Sequence, residues 1–418
     1  MLPSVLYSHD IFSTQYVGGI SRYIYELYIR NPQARIPALY SENLYLHAHK
    51  CTKNFRGKTR LLYVLNECYE KTLLAHKHFD IYHPSYYKKL TKPKKTFLVT
   101  TVHDMIHEIY EGVFFPKNST DSILKRFLCD ISDLIIAISH QTKNDLMHYF
   151  GINEQKIHVI YHGHSLQKIE KQLKLPKQYI LFVGQREGYK NFKTFIQAFS
   201  KLAPKYISLQ CICVGKPFNT QEQGLLESLN LTQCIFALQA KDDELYTIYH
   251  NAMCFVFPSL YEGFGIPILE SFYAQCPIVL SDIAVFREIA KDCALYFDPC
   301  SIDSIANTLE SLITNPTLAL NLTTKAQALL QNFSWDITNY QTMQIYKSII
   351  GGGDTYEIVY HQIYYIYLFH QHTPFYQSKN ITLVCQTIHI GFLSCKLQTF
   401  YTNAHILIFS YKRLSQCA

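Results

Sequence analysis

Residues 254–282 read CFVFPSLYEGFGIPILESFYAQCPIVLSD. An apolar run (254–258) leads through a glycine-containing turn into a helical pattern (266–275). A second apolar run follows at 277–282. Strand, helix and strand in that order make a βαβ unit. Strands that are apolar at successive positions belong to a parallel sheet covered on both faces. The turn holds Glu262, Gly263 and Gly265, with Pro267 just inside the helix, where its missing N–H costs nothing. Glu270 follows about a turn into that helix.

The same alternation extends outward. Strands are expected at 179–184, 209–215 and 234–238, and helices at 191–203, 219–229, 242–252, 283–290 and 301–314. An earlier series has strands at 4–7, 80–83, 96–104, 134–139 and 157–163, with helices at 19–30, 119–132 and 139–151. Two series of this kind predict an α/β protein of two doubly wound, Rossmann-like domains facing a cleft. The join falls in HSLQKIEKQLKLPKQ (164–178), which is polar and contains Pro176. The boundaries drawn are 1–165, 166–332, a helical segment 333–350, and a tail 351–418.

That tail opens on Gly351–Gly353 and continues YEIVYHQIYYIYLFHQHTPFY. Rich in Tyr, His and Cys, it shows neither helical nor strand period and is expected to be poorly ordered. Three glycines can also be encoded by a run of guanines, so a frame-shifted, non-catalytic product is an alternative reading of the chain.

Composition bounds the rest. The 418 residues exceed what one core usually serves. A net charge of +7 permits contact with phosphates or an anionic membrane surface and does not indicate a nucleic-acid partner. The 13 cysteines mostly lie within apolar runs, with no C-x-x-C, as expected of small buried hydrophobes in a reducing, cytoplasmic setting. The opening MLPSVLYSHD does not read as a signal peptide, and no apolar run is long enough to span a bilayer.

In open α/β sheets ligands sit beyond the carboxyl ends of the strands. Four candidate sites lie there. In YVGGISRY (16–23), Gly18 and Gly19 let backbone amides approach a phosphate at a helix start, with Arg22 in its first turn. In VTTVHDMIHE (99–108), His103 ends a strand, Asp104 is placed to orient a neighbour, and His107 reads as structural. In LFVGQREGYKNF (181–192), Arg186 and Lys190 suit a diphosphate, one as a fork and the other as a compact charge. In the opening stretch, Glu262 and Glu270 are acceptors for vicinal hydroxyls, as on a sugar or a ribose. No D-x-D, P-loop, H-E-x-x-H or G-x-G-x-x-G occurs, so no metal site is expected. The segment YYKKLTKPKK (86–95) reads as a solvated loop or a lipid-attracting patch.

Together, GGISRYIYEL, TVHDMIHE, LFVGQREGYKNF, VFPSLYEGFGIPILES and CALYFDP resemble, in that order, the GT-B-fold retaining glycosyltransferases with the E-x7-E signature. The likeness spans residues 1 to about 350 and is nearest to bacterial surface-polysaccharide mannosyltransferases. It implies that Gly18 and Gly19 lie near donor phosphates, and that His103 lies beside the reacting sugar. It implies that Arg186 and Lys190 hold the diphosphate and that Glu262 contacts the sugar. The backbone of Phe264, Gly265 and Ile266 would line the donor, and Glu270 would take the ribose hydroxyls. No cofactor is implied beyond a nucleotide-diphosphate sugar, GDP-mannose favoured. The implied partner is a lipid-linked or growing glycan in lipopolysaccharide or O-antigen synthesis, met at the inner face of the membrane. An epimerase or a glycogen-synthase-like polymerase of the same fold is the alternative enzyme. The segment 333–350 resembles the helix that crosses back to the first domain. Gln275 stands where many relatives have Gly, and a local packing effect is expected there.

Overall fold

A computed structural model of the chain describes residues 2–46, 48–50, 55–351, 387–390 and 393–396. Two six-stranded sheets carry the fold, and all their strand pairs are parallel. The first comprises β1 (Val5–Tyr7), β2 (Ala34–Arg35), β3 (Ile81–His83), β4 (Phe97–Val102), β5 (Leu134–Ala137) and β6 (Ile157–Val159), in the order β2-β1-β3-β4-β5-β6. With it come α1 (Asp10–Thr14), α2 (Gly19–Ile29), α3 (Lys58–His76), α4 (Ile106–Ile109), α5 (Thr120–Ile131) and α6 (His140–Phe150).

The second sheet comprises β7 (Tyr179–Val183), β8 (Gln210–Val214), β9 (Ile235–Leu238), β10 (Cys254–Phe257), β11 (Ile278–Ser281) and β12 (Leu295–Phe297), in the order β12-β11-β10-β7-β8-β9. Its helices are α7 (Phe192–Leu202), α8 (Thr220–Ser228), α9 (Asp242–His250), α10 (Ile266–Tyr273), α11 (Ala284–Ala290), α12 (Ile302–Ile313) and α13 (Pro316–Leu330). α14 (Trp335–Gly351) ends the run. Contacts group Met1–Thr355 as one compact unit. In the remainder, β13 (Thr387–Ile390) and β14 (Leu393–Lys396) pair antiparallel, and most of the tail expected to be poorly ordered lies outside the described residues.

Alternation along the second sheet builds two cores. Tyr179, Leu181, Phe255, Phe257, Ile278 and Leu280 enter one, and Ile180, Phe182, Cys254, Val256 and Val279 enter the other. Cys211 and Cys213 fill the second core with no disulfide, as small hydrophobes do. α14 leaves the second half. Its Trp335, Met343, Ile345 and Tyr346 are buried against Val5, Tyr7 and Ile81 of the first half. Gly163 allows this passage, because a Cβ there would lie 2.3 Å from the amide of Trp335.

α1, α3, α4, α13, β2, β12, β13 and β14 are additional to the elements expected from pattern. One expectation needs correction. Lys88 does not sit on a solvated or lipid-facing loop: it is buried, with its Nζ 3.0 Å from Asp10, 2.8 Å from Glu70 and 3.2 Å from Glu67. Three carboxylates around one ammonium are what makes a buried charge tolerable.

Candidate functional site

The loop between β10 and α10 is pressed into the first half. Gly263 is the point of closest approach, where a Cβ would come within 1.8 Å of the carbonyl oxygen of His103. Its own carbonyl accepts from Ser139 Oγ at 2.7 Å. Tyr261 donates to Asp145 (2.7 Å) and accepts from the amide of Met105 (3.2 Å). Phe264 is buried against the rings of His162, Tyr161 and Phe333. Behind the loop, Glu288 of α11 accepts from the first amides of α6, His140 (2.7 Å) and Gln141 (3.1 Å), supplying a carboxylate to a helix N-terminus.

α10 starts at Gly265, whose left-handed φ of 103° is one only glycine adopts without strain. Its first turn faces the first turn of α2, since a Cβ at Gly19 would lie 3.7 Å from Ile266 Cδ1. Two helix N-termini, each with amides lacking helical partners, thus converge across the cleft. One α2 amide, that of Ser21, is taken by Gln15 Oε1 (3.2 Å). Gly18 is extended (φ 170°), and a side chain there would strike Gln15.

Around this point the side chains divide into four groups. Lys190 donates to Glu262 Oε1 at 2.6 Å, and the same oxygen accepts from Ser259 Oγ at 2.7 Å. Burial opposes the charge on Lys190, but Glu262 and Tyr189 outweigh it and hold the ammonium above its ordinary range. Arg186 is not with them. It forms a bidentate pair with Glu222 (2.7 and 3.2 Å) and donates to the carbonyls of Lys216 and Pro217. Its Nη1 makes no hydrogen bond among the described residues.

Glu270, on α10, is buried, with Tyr249 donating to it at 3.3 Å. Desolvation raises its carboxyl, and Arg22 pulls in the opposite direction. Arg22 reaches over from α2, its Nη1 lying 3.9 Å from Glu270 and its Nη2 2.8 Å from Asp242. Tyr45 accepts from its Nε at 3.0 Å.

His103 stands at the end of β4, edge-on to Tyr23 and 6.0 Å from the ring of His162. Burial depresses it to about 4, with Asp104 opposing and Lys125 assisting, so at neutral pH it is an uncharged imidazole. Its turn is held by Lys125, which donates to the carbonyl of Asp104 (2.9 Å) and to Glu108 (2.7 Å). His107 bonds Ser119 (2.9 Å).

Sequence patterning did not single out Asp10, Glu67, Glu70 and Lys88. The signal was there: SHD (8–10) ends β1 as VHD (102–104) ends β4. His9, Asp10 and Glu67 have the spacing of a metal site, but the ammonium of Lys88 stands between the two carboxylates and supplies the positive charge. Desolvation would raise Glu67, but Lys88 and hydrogen bonds from His9 and Lys71 outweigh it and lower the carboxyl to about 2.

Comparison with known proteins places this geometry. Residues 165–329 match the family Glycosyl transferases group 1, and residues 17–168 match Glycosyltransferase Family 4. An O-antigen chain mannosyltransferase of Salmonella typhimurium (RfbU) is 29% identical over 208 residues, 48% of this chain and 56% of the relative. The O-antigen chain mannosyltransferase B of Escherichia coli is 27% identical over 269 residues, 60% of this chain and 70% of the relative. The chain thus spans little more than half the length of the first of these. Among solved structures, sucrose-phosphate synthase from Thermosynechococcus elongatus superposes with a TM-score of 0.67 at 18% identity, over 84% of this chain and all of that one. The shared fold is GT-B.

Proposed function

We propose, from its matches to Glycosyl transferases group 1 over residues 165–329 and to Glycosyltransferase Family 4 over residues 17–168, that the chain moves a hexose from a nucleotide-diphosphate sugar to a glycan acceptor. The single observation that carries this is the pairing of Lys190 with Glu262, beside two converging helix N-termini, with Glu270 one turn further along α10. Mannose, with GDP as its carrier, is favoured by the names of the relatives. Retention of configuration, and a lipid-linked acceptor in surface-polysaccharide synthesis at the inner face of the membrane, follow from the family likeness.

In this reading the diphosphate takes Lys190 away from Glu262. Each partner then has a new one: the ammonium meets phosphate oxygens, and the carboxylate meets a sugar hydroxyl. As the bond from the sugar to the diphosphate breaks, negative charge grows on the leaving phosphate. Lys190 and the amides at the starts of α2 and α10 are fixed in place to meet it. Glu270 accepts from the ribose hydroxyls, displacing Arg22. His103, neutral at pH 7, donates or accepts one hydrogen bond at the sugar without adding charge. Arg186 acts through its free Nη1, or through the loop it pins.

Release of nucleotide from a panel of nucleotide sugars, with and without a cell lipid extract, tests the proposal. GDP release from GDP-mannose that depends on the extract is expected, and Lys190→Ala should abolish it. If no donor is consumed, and Lys190→Ala and Glu270→Ala leave nucleotide affinity unchanged, the proposal fails.

A further inference from the structure

Over residues 61–70, α3 has its faces reversed. The side packed on the first half carries Tyr63, Asn66, Glu67 and Glu70, with Asn66 and Glu70 buried. The outward side carries Leu61, Val64, Leu65, Cys68 and Tyr69, the i, i+3, i+4, i+7, i+8 spacing of an apolar helical stripe. Leu61 and Val64 are each 49% exposed, and Phe55, just before the helix, is 47% exposed. Apolar residues scattered over a surface need no explanation, but an aligned stripe with a charged inner face does. Over these residues the inner face is committed to Lys88 and His9, and α3 packs apolar side chains on the core further along, at Leu73 and Leu74.

Cations flank the stripe. Arg56 and Arg60 are exposed at its start. At its far end Lys71, His76, Lys77, Lys94 and Lys95 line one open depression. Lys77, Lys94 and Lys95 make no ion pair among the described residues, whereas Lys71 pairs with Glu67 at 3.2 Å. The carboxylates of α3 point inward or are paired, so the outward face is apolar in the middle and basic at both ends.

We propose that this face docks on an anionic lipid bilayer. Leu61, Val64, Leu65 and Tyr69 enter the interface, and the flanking cations meet lipid phosphates. An apolar stripe and a basic rim are the two contributions a surface-lying helix needs, since each is weak alone. Over its 19 residues α3 is about 28 Å long and cannot be read as a span, since its inner face is charged. No described helix is long and apolar enough to cross a membrane. α3 packs on α1, which follows the carboxyl end of β1, so docking would bring the ligand end of the first sheet beside the lipid. That consequence rests on the lipid-linked acceptor proposed above; the docking itself does not.

The test is co-sedimentation of the full chain with vesicles, without donor or acceptor, so its failure is separate from a failure of glycosyl transfer. Binding to vesicles containing phosphatidylglycerol should exceed that to pure phosphatidylcholine by about tenfold and weaken in high salt. The triple variant Leu61→Ser/Val64→Ser/Leu65→Ser, and separately Lys77→Glu/Lys94→Glu/Lys95→Glu, should each lower it by about tenfold. Tyr69→Trp provides a readout that leaves the rest of the stripe intact. The emission of this variant should shift to shorter wavelength on anionic vesicles, with the parent and its single tryptophan as the blank. Binding that is absent, indifferent to lipid charge or unaffected by both triple variants overturns the proposal. So does an unshifted emission from the Tyr69→Trp variant, or a stripe variant that only converts a dimer to a monomer.

Discussion

Gln275 ends α10 with φ at 56°, the left-handed position that follows many helices and is usually glycine. Its amide bonds the carbonyl of Phe272 (3.0 Å), and the next amide, of Cys276, bonds that of Ser271 (2.9 Å). This double closure is the Schellman motif. The departure from glycine seen in the sequence therefore acts through the backbone, not through the packing expected there, for the side chain is exposed. Gln275→Gly should stabilise the protein by about 1 kcal/mol, read as a shift in urea midpoint at constant slope. A lower midpoint would contradict the strain. Gly263 makes the opposite case. Gly263→Ala forces a Cβ against a backbone oxygen that has no side-chain freedom to retreat. About 1–3 kcal/mol of destabilisation is expected, with weakened nucleotide binding. Ser139→Ala, which loses only the hydrogen bond to Gly263, should cost about 1 kcal/mol and serves as the control. Parent-like behaviour of Gly263→Ala would show that the loop is not held against His103.

At the scale of elements, legibility followed burial. β7, β8, β10 and β11 are buried on both faces, so their apolar runs stand out against the loops. α7 has a clean stripe of Phe192, Phe195, Ile196, Phe199 and Leu202 facing the core. α3 breaks that correspondence: Leu61, Val64, Leu65 and Tyr69 are exposed, its buried residues are Asn66 and Glu70, and periodicity says nothing about which face is inside. Lys88 is the distant residue that makes the arrangement stable, and one lysine among several in YYKKLTKPKK cannot announce itself. Lys88→Met should therefore destabilise by about 3–5 kcal/mol, because Asp10 and Glu70 are left buried without their cation. Hydrogen exchange should show α3 opening before α5 does. If the amides of α3 keep their protection, the network is not what holds the helix. The candidate site was legible in a similar, partial way. Lys190, Glu262 and Glu270 lie in loops and helix starts that the strand pattern locates. The pairing of Arg186 with Glu222, 36 positions away, depends on tertiary contact alone.

In the whole molecule the two halves are joined through polar contacts: Arg22 to Asp242, Tyr261 to Asp145, and Glu288 to the start of α6. Just behind them lie three histidines that the fold keeps neutral. Burial, with a contribution from His103, lowers His83 to about 3; burial takes His103 to about 4; and burial, again with His103, holds His162 well below its ordinary value. In the unfolded chain all three titrate near 6.5. Between about 6.5 and 4, then, the unfolded state binds protons that the folded state refuses. Stability must fall as pH falls through that window, by up to about 1.4 kcal/mol per pH unit for each proton of difference. Glu67 adds to the loss only lower down, between its ordinary value and about 2. Urea unfolding at a series of pH values should show a decline setting in below about 6.5, well above the range in which carboxylates titrate. His83→Phe should flatten part of it, even at some cost in overall stability, because Tyr346 and Thr101 lose their partner. The turnover profile separates catalysis from folding. If the chain transfers sugar as proposed, then with His103 already neutral at pH 7 its turnover should show no break from this group between pH 8 and about 5.5, and should fall only as pH approaches 4. A break near 6.5 that disappears in His103→Gln would mean the ring titrates normally, and that the cleft around it is wetter than its packing against Tyr23 and His162 implies.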